Sequence, residues 1–228
     1  GHLASIDAPR LEDGGSPSSL SDKQQVREFH RVAREDALRA DAAFIRRDAH
    51  LLESALAEGH LLKPAEIRPS LIEVSAGTHE SRLFRLAAKL WSVPVSAGFG
   101  RRMRFLVWDS RHDSLIGLLA LGDPVFNLSS RDKWIGWNAS DRRERLVHVM
   151  DAFVVGAVPP YSQIIGGKLV AAMAGAETVQ CVYGRKYAAK TSVIRQVTRD
   201  APLVMVTTTS ALGRSSLYNR LRVPGGIA

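Results

Sequence analysis

The sequence has little cysteine and lacks any long hydrophobic run. Its 228 residues include one cysteine, Cys181, so the chain can form neither an internal disulfide nor a cysteine-based zinc cluster. No apolar stretch approaches the roughly 20 residues that a helix needs to cross a bilayer. The start also lacks a basic segment followed by an apolar one. We therefore expect a cytoplasmic protein that makes no membrane contact.

Metal-ligand spacing is absent as well. The seven histidines are scattered and form no H-x-x-x-H pair or similar motif, so we predict no metal site. Cys181 lies in an alternating apolar stretch from Val179 to Tyr183, which predicts a strand over 178–183. In such a strand the thiol would be a small buried hydrophobe.

What the chain does contain is a basic second part, within a formal net charge of +8. Residues 1–80 hold ten Lys and Arg against fourteen Asp and Glu, a net charge of −4. Residues 81–228 hold twenty-one against nine, a net charge of +12. A basic region attracts polyanions, so nucleic acid or a phosphorylated cofactor is the expected partner. A solvated basic face that binds nothing specific is the alternative.

Composition and periodicity divide the chain into three parts. Residues 1–20 are rich in Ser, Gly, Pro and Asp and begin with what looks like a cloning remnant, which predicts a mobile lead. A capping-box pattern at Ser21 and helical spacing out to Glu58 predict one or two helices. Pro64 and Pro69 then interrupt helix. We place the boundary here, between an N-terminal helical segment at 21–63 and an α/β domain at 64–228.

Apolar alternation and capping residues predict the elements of the α/β domain. After a strand in "SLIEVS" and a helix capped by Thr78 comes a hairpin at 103–121, and Asn138 caps the next helix. The later elements are a strand Asp151–Val158, a helix after the glycines described below, the strand 178–183, a helix in 185–199, a strand Leu203–Thr209 and a helix Ser215–Leu221.

Two adjacent glycines and a lysine lie in "AVPPYSQIIGGKLVAAMAG", residues 157–175. Gly166, Gly167 and Lys168 fall where a predicted strand gives way to a helix. The first N–H groups of a helix are unpaired, and glycine lets an anion approach them closely. A tight turn or close helix packing would explain the glycines equally well. A Walker-type loop fits poorly, because Leu169 replaces the Ser or Thr that binds magnesium.

The order of elements resembles the GNAT acyltransferase fold. "MRFLVWDSRHDSLIGLLAL" is similar to its central hairpin, and "VPPYSQIIGGK" to its pyrophosphate signature, with Gln163 and Gly166 in register. The resemblance implies a GNAT-like mixed central sheet flanked by helices. It implies that acyl-coenzyme A or another phosphate-bearing ligand binds at Gln163, Gly166, Gly167 and Lys168. Tyr218, in "VMVTTTSALGRSSLYNRL", would match the tyrosine often used as general acid.

A second resemblance covers most of the chain from about Glu66 onward. "WSVPVSAGFGRRMRFLVWD", "LIGLLALGDPVFNL", "VMDAFVVGAVPPYS" and "TTTSALGRSSLYNRL" are similar to the DruA family, components of the Druantia anti-phage defence systems. The resemblance implies a role in prokaryotic defence with other defence proteins as partners. The family continues past the point where this chain stops, so we expect a C-terminal truncation.

Arg101, Arg102 and Arg104 form a basic cluster on a glycine-flexed loop beside aromatic residues. Such a cluster suits phosphate contact with base stacking, each stack contributing roughly 1–3 kcal/mol, so we predict nucleic-acid binding there. A solvated loop end is the alternative. Trp134 and Trp137 also have basic neighbours. Core packing is the commoner role for such tryptophans, and exposure would make them stacking platforms.

Three aspartates, Asp109, Asp123 and Asp151, lie at or near predicted strand ends, where catalytic carboxylates often occur. Turn or cap roles are commoner for such residues. Two hypotheses result from the sequence. The first is a GNAT-like enzyme of a defence system that binds nucleic acid and transfers a group to it. The second is a nucleic-acid-binding module that retains the GNAT-like fold without acyl chemistry.

Overall fold

The fold is built on a mixed β-sheet. The computed structural model describes residues 20–93, 95, 98–187 and 201–209, and within them five strands pair in chain order. Each of the first four is antiparallel to its neighbours among them, and the fifth pairs with the fourth in parallel. The predicted α/β class is thus confirmed. The strands are β1 (Pro69–Glu73), β2 (Arg102–Asp109), β3 (Ser114–Gly122), β4 (Val149–Ala157) and β5 (Met205–Thr207).

Helices lie on both faces of the sheet. They are α1 (Leu20–Ala40), α2 (Ala42–Ala55), α3 (His79–Ala87), α4 (Ser129–Ile135), α5 (Ala139–Arg145), α6 (Tyr161–Ile164), α7 (Lys168–Met173) and α8 (Glu177–Tyr187). The face that includes Leu106, Leu118 and Val154 packs against α3 and the end of α2. The opposite face, with Phe105 and Leu119, packs against α6, α7 and α8. No helix in this described part of the chain has the length and apolar character needed to cross a membrane.

The predicted hairpin is confirmed as the pair β2–β3. The two strands pair from Arg102 and Gly122 to Asp109 and Ser114. Every residue of β3 is buried, because helices cover both of its faces. Asp113 closes the turn with a positive φ of 49°, a conformation that Asp tolerates. The hairpin is therefore the buried centre of the sheet.

Two of the predicted helix caps, Thr78 and Asn138, are confirmed. The Thr78 side chain accepts a hydrogen bond from the Ser81 N–H at the start of α3. Asn138 accepts from the N–H groups of Ser140 and Asp141, and the Asp141 carboxylate accepts from the Asn138 N–H in return. These caps satisfy donors that the first turn of a helix leaves unpaired, so short-range sequence alone fixes where α3 and α5 begin.

The strand predicted over 178–183 is wrong, since these residues belong to α8. Val179, Val182 and Tyr183 are buried at helical spacing, whereas Cys181 is exposed. Val179 and Tyr183 are four positions apart, a spacing that also fits one face of a strand, and this explains the wrong prediction. The prediction that Cys181 is a buried hydrophobe is wrong for the same reason, because its thiol lies on the solvent side of the helix.

The N-terminal helical segment contains α1 and α2, in agreement with the helices predicted over 21–58. α1 includes both Leu20 and Ser21, so the prediction that Ser21 caps this helix is wrong. Phe44 and Leu51 of α2 pack against Leu86 of α3, so this segment contacts the α/β domain directly.

Other predicted elements are only partly described. The strand predicted over Leu203–Thr209 is present as the shorter β5. The helix predicted in 185–199 lies outside the described residues beyond Tyr187, where α8 ends. The mobile lead and the helix Ser215–Leu221 also lie outside them, apart from Leu20.

Candidate functional site

The glycine turn predicted to bind an anion lies between two short helices. Gln163 belongs to α6, and Gly166 and Gly167 precede α7, which begins at Lys168. α6 thus separates β4 from the glycines, whereas the sequence suggested a direct strand-to-helix turn. Gly166 has a φ of 63°, and its N–H donates to the Tyr161 carbonyl over 3.2 Å. This left-handed turn at the end of α6 gives the glycine a conformational role.

The surroundings of the turn are open. The side chains of Gln163 and Lys168 are exposed, and a Cβ added at Gly166 would have no neighbour within 4 Å. The Gly166 N–H, however, is already used within the chain. Binding of a phosphate-bearing ligand at Gln163, Gly166, Gly167 and Lys168 stays a prediction. Tyr218, the predicted general acid, lies outside the described residues.

Arg101, the first of the three predicted nucleic-acid-binding arginines, points inward. It pairs with Asp123 over 2.5 Å and donates to the Tyr183 hydroxyl over 2.6 Å. It also donates over 2.7–3.1 Å to main-chain carbonyls at the beginning of β4, those of Leu146, Val147 and Val149. These contacts tie the hairpin to the β3–β4 connection, so the guanidinium has a structural function.

Arg102 and Arg104 lie two residues apart on one face of β2. The Arg102 guanidinium lies 4.2 Å from the centre of the Phe153 ring. Burial lowers the pKa of Arg102, and the neighbouring charge of Arg104 lowers it further. Arg104 lies 5.9 Å from the centre of the Phe84 ring and lines a cleft. The structure therefore separates the predicted cluster into one structural arginine and two that face the α3 side of the sheet.

This cleft, which we call the helical cleft, has a volume of about 430 Å³. Residues of α1, α3, β2 and the segment after α3 line it. Its apolar part includes Val74, Phe84, Ala88, Trp91 and Val95. Its charged part consists of Arg34, Asp41, Arg85, Lys89 and Arg104, four cations against one carboxylate.

The single carboxylate of the helical cleft is held by two of the cations. Asp41 accepts hydrogen bonds from Lys89 and Arg85. The hydrogen bond from Lys89 has the largest effect in lowering the pKa of Asp41, which stays ionised. Arg34 and Arg104 pair with no carboxylate in the described part of the chain. They are the cations available to an anion in the cleft.

Trp91 fixes the aromatic wall of the helical cleft. A Cβ added at Gly156 of β4 would lie 2.9 Å from the indole ring, too close for a real contact. Glycine at this position therefore lets the indole lie directly against the strand. The ring is held in place by packing, which makes it a preorganised surface for a flat ligand.

A hydrogen-bond chain connects the hairpin tip to α6. Asp109 Oδ2 accepts from the Tyr161 hydroxyl over 2.8 Å and lies 2.7 Å from His112 Nδ1. The Ser114 hydroxyl lies 2.8 Å from the Tyr161 hydroxyl. Burial alone would raise the pKa of Asp109. Hydrogen bonds from the main-chain N–H groups of Arg68 and Arg111 lower it, as do those from the side chains of His112 and Tyr161. The resulting pKa of Asp109 is about 2. Burial is the main reason that the pKa of Tyr161 is raised to about 12.

The sequence indicates Asp109 but not its partner Tyr161, because no local pattern relates residues that lie 52 positions apart in the chain. Asp151, the other strand-end aspartate of interest, is buried where β4 meets β5. Burial raises the pKa of Asp151, and the Thr207 hydroxyl donates to its Oδ1 over 2.8 Å. This contact supports the short parallel pair. No cluster of metal-ligating side chains occurs among the described residues.

Known proteins resemble this chain along nearly its whole length. The family model described as "Druantia protein DruA" matches residues 20–226. The Druantia protein DruA of Escherichia coli (strain UMEA 4076-1) is 44% identical over 224 residues, which are 98% of this chain and 55% of that protein. The chain thus spans about half the length of this curated relative. No solved structure matches it. The extent of both matches shows that the chain belongs to the DruA family of Druantia proteins.

Proposed function

We propose that this chain binds nucleic acid in the helical cleft as a component of an anti-phage defence system. The observation that carries the proposal is the composition of the cleft, in which aromatic rings lie beside an excess of cations. Membership of the DruA family supports the defence role. Other proteins of the same system are the proposed partners of the complete assembly.

The chemistry of the helical cleft suits a nucleotide unit. Arg34 and Arg104 offer guanidinium groups that can form paired hydrogen bonds with a phosphate. Trp91 offers an aromatic face, and base stacking on such a face is worth roughly 1–3 kcal/mol. The volume of about 430 Å³ lies in the usual range of ligand pockets and is far too small for a duplex. A base from a single strand or a strand end is therefore the proposed occupant.

The test is a salt series of binding measurements with fluorescently labelled single-stranded DNA and RNA. Replacing both Arg34 and Arg104 by Ala should weaken binding and reduce the slope of log affinity against log salt by up to about two, one per lost phosphate contact. Arg46→Ala, which removes an exposed cation of α2 outside the cleft, is the matched control. Equal slopes for the double variant and the control would overturn the proposed site.

A second candidate function is transfer of a group from acyl-coenzyme A. β4 and β5 pair over only three residues, Val149 to Asp151 with Met205 to Thr207. From Ala152 onward β4 has no strand partner on that side within the described residues, and a GNAT-like fold would bind its cofactor at such a divergence. The turn fits a pyrophosphate only in part, since the Gly166 N–H is occupied and Lys168 replaces a small residue. We derive no reaction step from it.

Calorimetric titration with acetyl-coenzyme A tests this candidate directly. Saturable binding that is lost in Gly166→Val, with the variant still folded, would support it. Absence of binding by the wild-type chain would leave nucleic-acid binding without acyl transfer as the proposed function.

A further inference from the structure

The connection between β3 and β4 carries exposed apolar residues. Residues 123–148, which contain α4 and α5, are called the cap below. Trp134 is 84% exposed, Val125 54% and Phe126 50%. Of the two roles that the sequence allowed for Trp134, core packing is wrong and exposure is confirmed. Three exposed apolar side chains within ten residues of this connection make its surface a candidate for partner binding.

The cap is a rigid frame. Arg131 and Asp132, both at least 94% buried, pair with each other, and Arg142 also pairs with Asp132. Arg131 donates to the carbonyls of Val125 and Phe126 over 2.9 and 3.0 Å. The main chain that presents these two apolar side chains is therefore held by hydrogen bonds from a buried guanidinium. Val125 and Phe126 are therefore exposed as a result of how this connection folds.

The cap holds five Lys and Arg against four Asp and Glu, and one of these carboxylates, Asp123, pairs with Arg101 outside the cap. Asp132 and Asp141 are each paired with arginines inside the cap. Lys133 and Arg143, in contrast, pair with no carboxylate among the described residues, and both are exposed. Lys133 directly precedes Trp134 in α4. The surface thus combines an exposed indole with two exposed cations that form no ion pair among the described residues, and such a combination suits single strands through phosphates and base faces.

A shallow cleft of about 570 Å³ extends this surface. Hydrogen-bonding side chains dominate its lining, among them Asn127, Ser129, Lys133 and Arg142. None of its lining residues belongs to the helical cleft. Binding at the cap can therefore be tested separately from binding at the helical cleft.

We propose that the cap is a second binding surface for single-stranded nucleic acid, where Trp134 stacks on a base and Lys133 and Arg143 contact phosphates. The inference rests on the proposed function, because both require that the chain binds nucleic acid. A duplex is excluded as the preferred ligand because its bases are already stacked on each other and offer no free face to an indole.

The experiment measures binding of a labelled oligo(dT) strand to Trp134→Ala, Trp134→Phe and Phe99→Ala by fluorescence anisotropy. Loss of the indole should weaken binding about fivefold or more, and Phe should restore most of the affinity because it also stacks. Phe99, which is 100% exposed and outside the cap, is the matched control and should leave affinity unchanged. Circular dichroism of each variant verifies that the fold is intact.

The outcomes separate this inference from the proposed function. If Trp134→Ala binds oligo(dT) like the wild type while the Arg34 and Arg104 double variant binds weakly, the cap inference is overturned and the helical cleft stands. If Trp134→Ala and Phe99→Ala weaken binding equally, the effect is not specific to the cap, and the inference is also overturned. If Trp134→Ala keeps its affinity for oligo(dT) but loses association with a protein of the same defence system, the cap is a protein interface. Failure of the wild type to bind any nucleic acid overturns both proposals.

Discussion

The Tyr161 hydroxyl donates to the Asp109 carboxylate in a site where both side chains are fully buried. The bond joins α6, the first helix after β4, to the tip of the central hairpin. It therefore sets where the chain goes after leaving the sheet, and with it the position of the glycine turn and α7.

Tyr161→Phe should lower the free energy of unfolding by about 1–3 kcal/mol. The change deletes one hydroxyl and leaves Asp109 and Ser114 each short of a hydrogen-bond partner in a buried site. Urea denaturation measures the loss. Ser130→Ala, which removes an exposed hydroxyl, is the control and should change stability by a few tenths of a kcal/mol at most. A similar small effect for Tyr161→Phe would contradict the role given to the bond.

Stability should fall in acid because of Asp109. Its pKa is about 2 in the folded chain, below the ordinary value of 3.8. The ionised carboxylate therefore stabilises the fold above about pH 4, and this contribution, at most about 2 kcal/mol, is lost as the pH falls from 4 towards 2. Denaturation of the wild type and of Asp109→Asn between pH 2 and 6 measures it. The difference in stability between the two chains should shrink towards pH 2, and a constant difference would refute the assignment.

Gly100 and Gly77 make a matched pair for testing the loop before β2. Both have a positive φ, 89° and 80° respectively. A Cβ at Gly100 would overlap the Asp123 carboxylate, which accepts from Arg101, whereas a Cβ at Gly77 would have no neighbour within 4 Å. Gly100→Ala should therefore lower the melting temperature clearly more than Gly77→Ala, since only the backbone strain is common to both. Equal losses would mean that the Asp123 contact contributes nothing.

Replacing Arg101 should mainly reduce stability, whereas replacing Arg104 should mainly reduce nucleic-acid binding. Arg101→Ala leaves three carbonyls and Asp123 without their guanidinium, so we expect a stability loss of about 2 kcal/mol or more. Arg104→Ala should leave the melting temperature nearly unchanged and reduce the salt slope of nucleic-acid binding by about one. Thermal denaturation and a salt series on both variants check this. The reverse pattern would place the binding surface at Arg101.

Gly166→Ala should lower stability by about 1 kcal/mol, because a left-handed backbone is unfavourable for any residue with a Cβ. Gly184→Ala in the middle of α8 is the control, and alanine there should be neutral or stabilising. Melting temperatures of the two variants decide the matter. An unchanged melting temperature for Gly166→Ala together with loss of acetyl-coenzyme A binding would assign the glycine to a ligand site.

Local rules explain what could be predicted from the sequence. Thr78 and Asn138 begin helices because their side chains cap them, and the nearly continuous apolar run of β3 follows from burial on both of its faces. The sequence of α8 predicts a strand because its buried residues Val179 and Tyr183, four positions apart, also fit a period of two. Only the docking of α8 on the sheet reveals which period applies.

The candidate sites depend on contacts that no short stretch of sequence contains. Arg101, Arg102 and Arg104 look alike in the sequence, but the first faces Tyr183, more than eighty residues away. The helical cleft exists because α1 and α3 come together beside β2. The exposure of Trp134 likewise follows from Arg131 and Asp132 occupying the interior of the cap, which composition cannot show.

The order of strands in the sheet has a consequence for how the chain assembles. β1 to β4 pair with their neighbours along the chain, so each ladder can form as soon as its second strand has left the ribosome. β5 must wait, because Asp151 and Thr207, which face each other across the last ladder, are 56 residues apart. Closing so long a loop costs conformational entropy, and a ladder of three residue pairs offsets little of that cost. Pairing of β5 is therefore slow. The four-stranded core therefore forms first, and β5 docks on it as a late step. In amide hydrogen exchange, β5 should then be the least protected edge of the sheet.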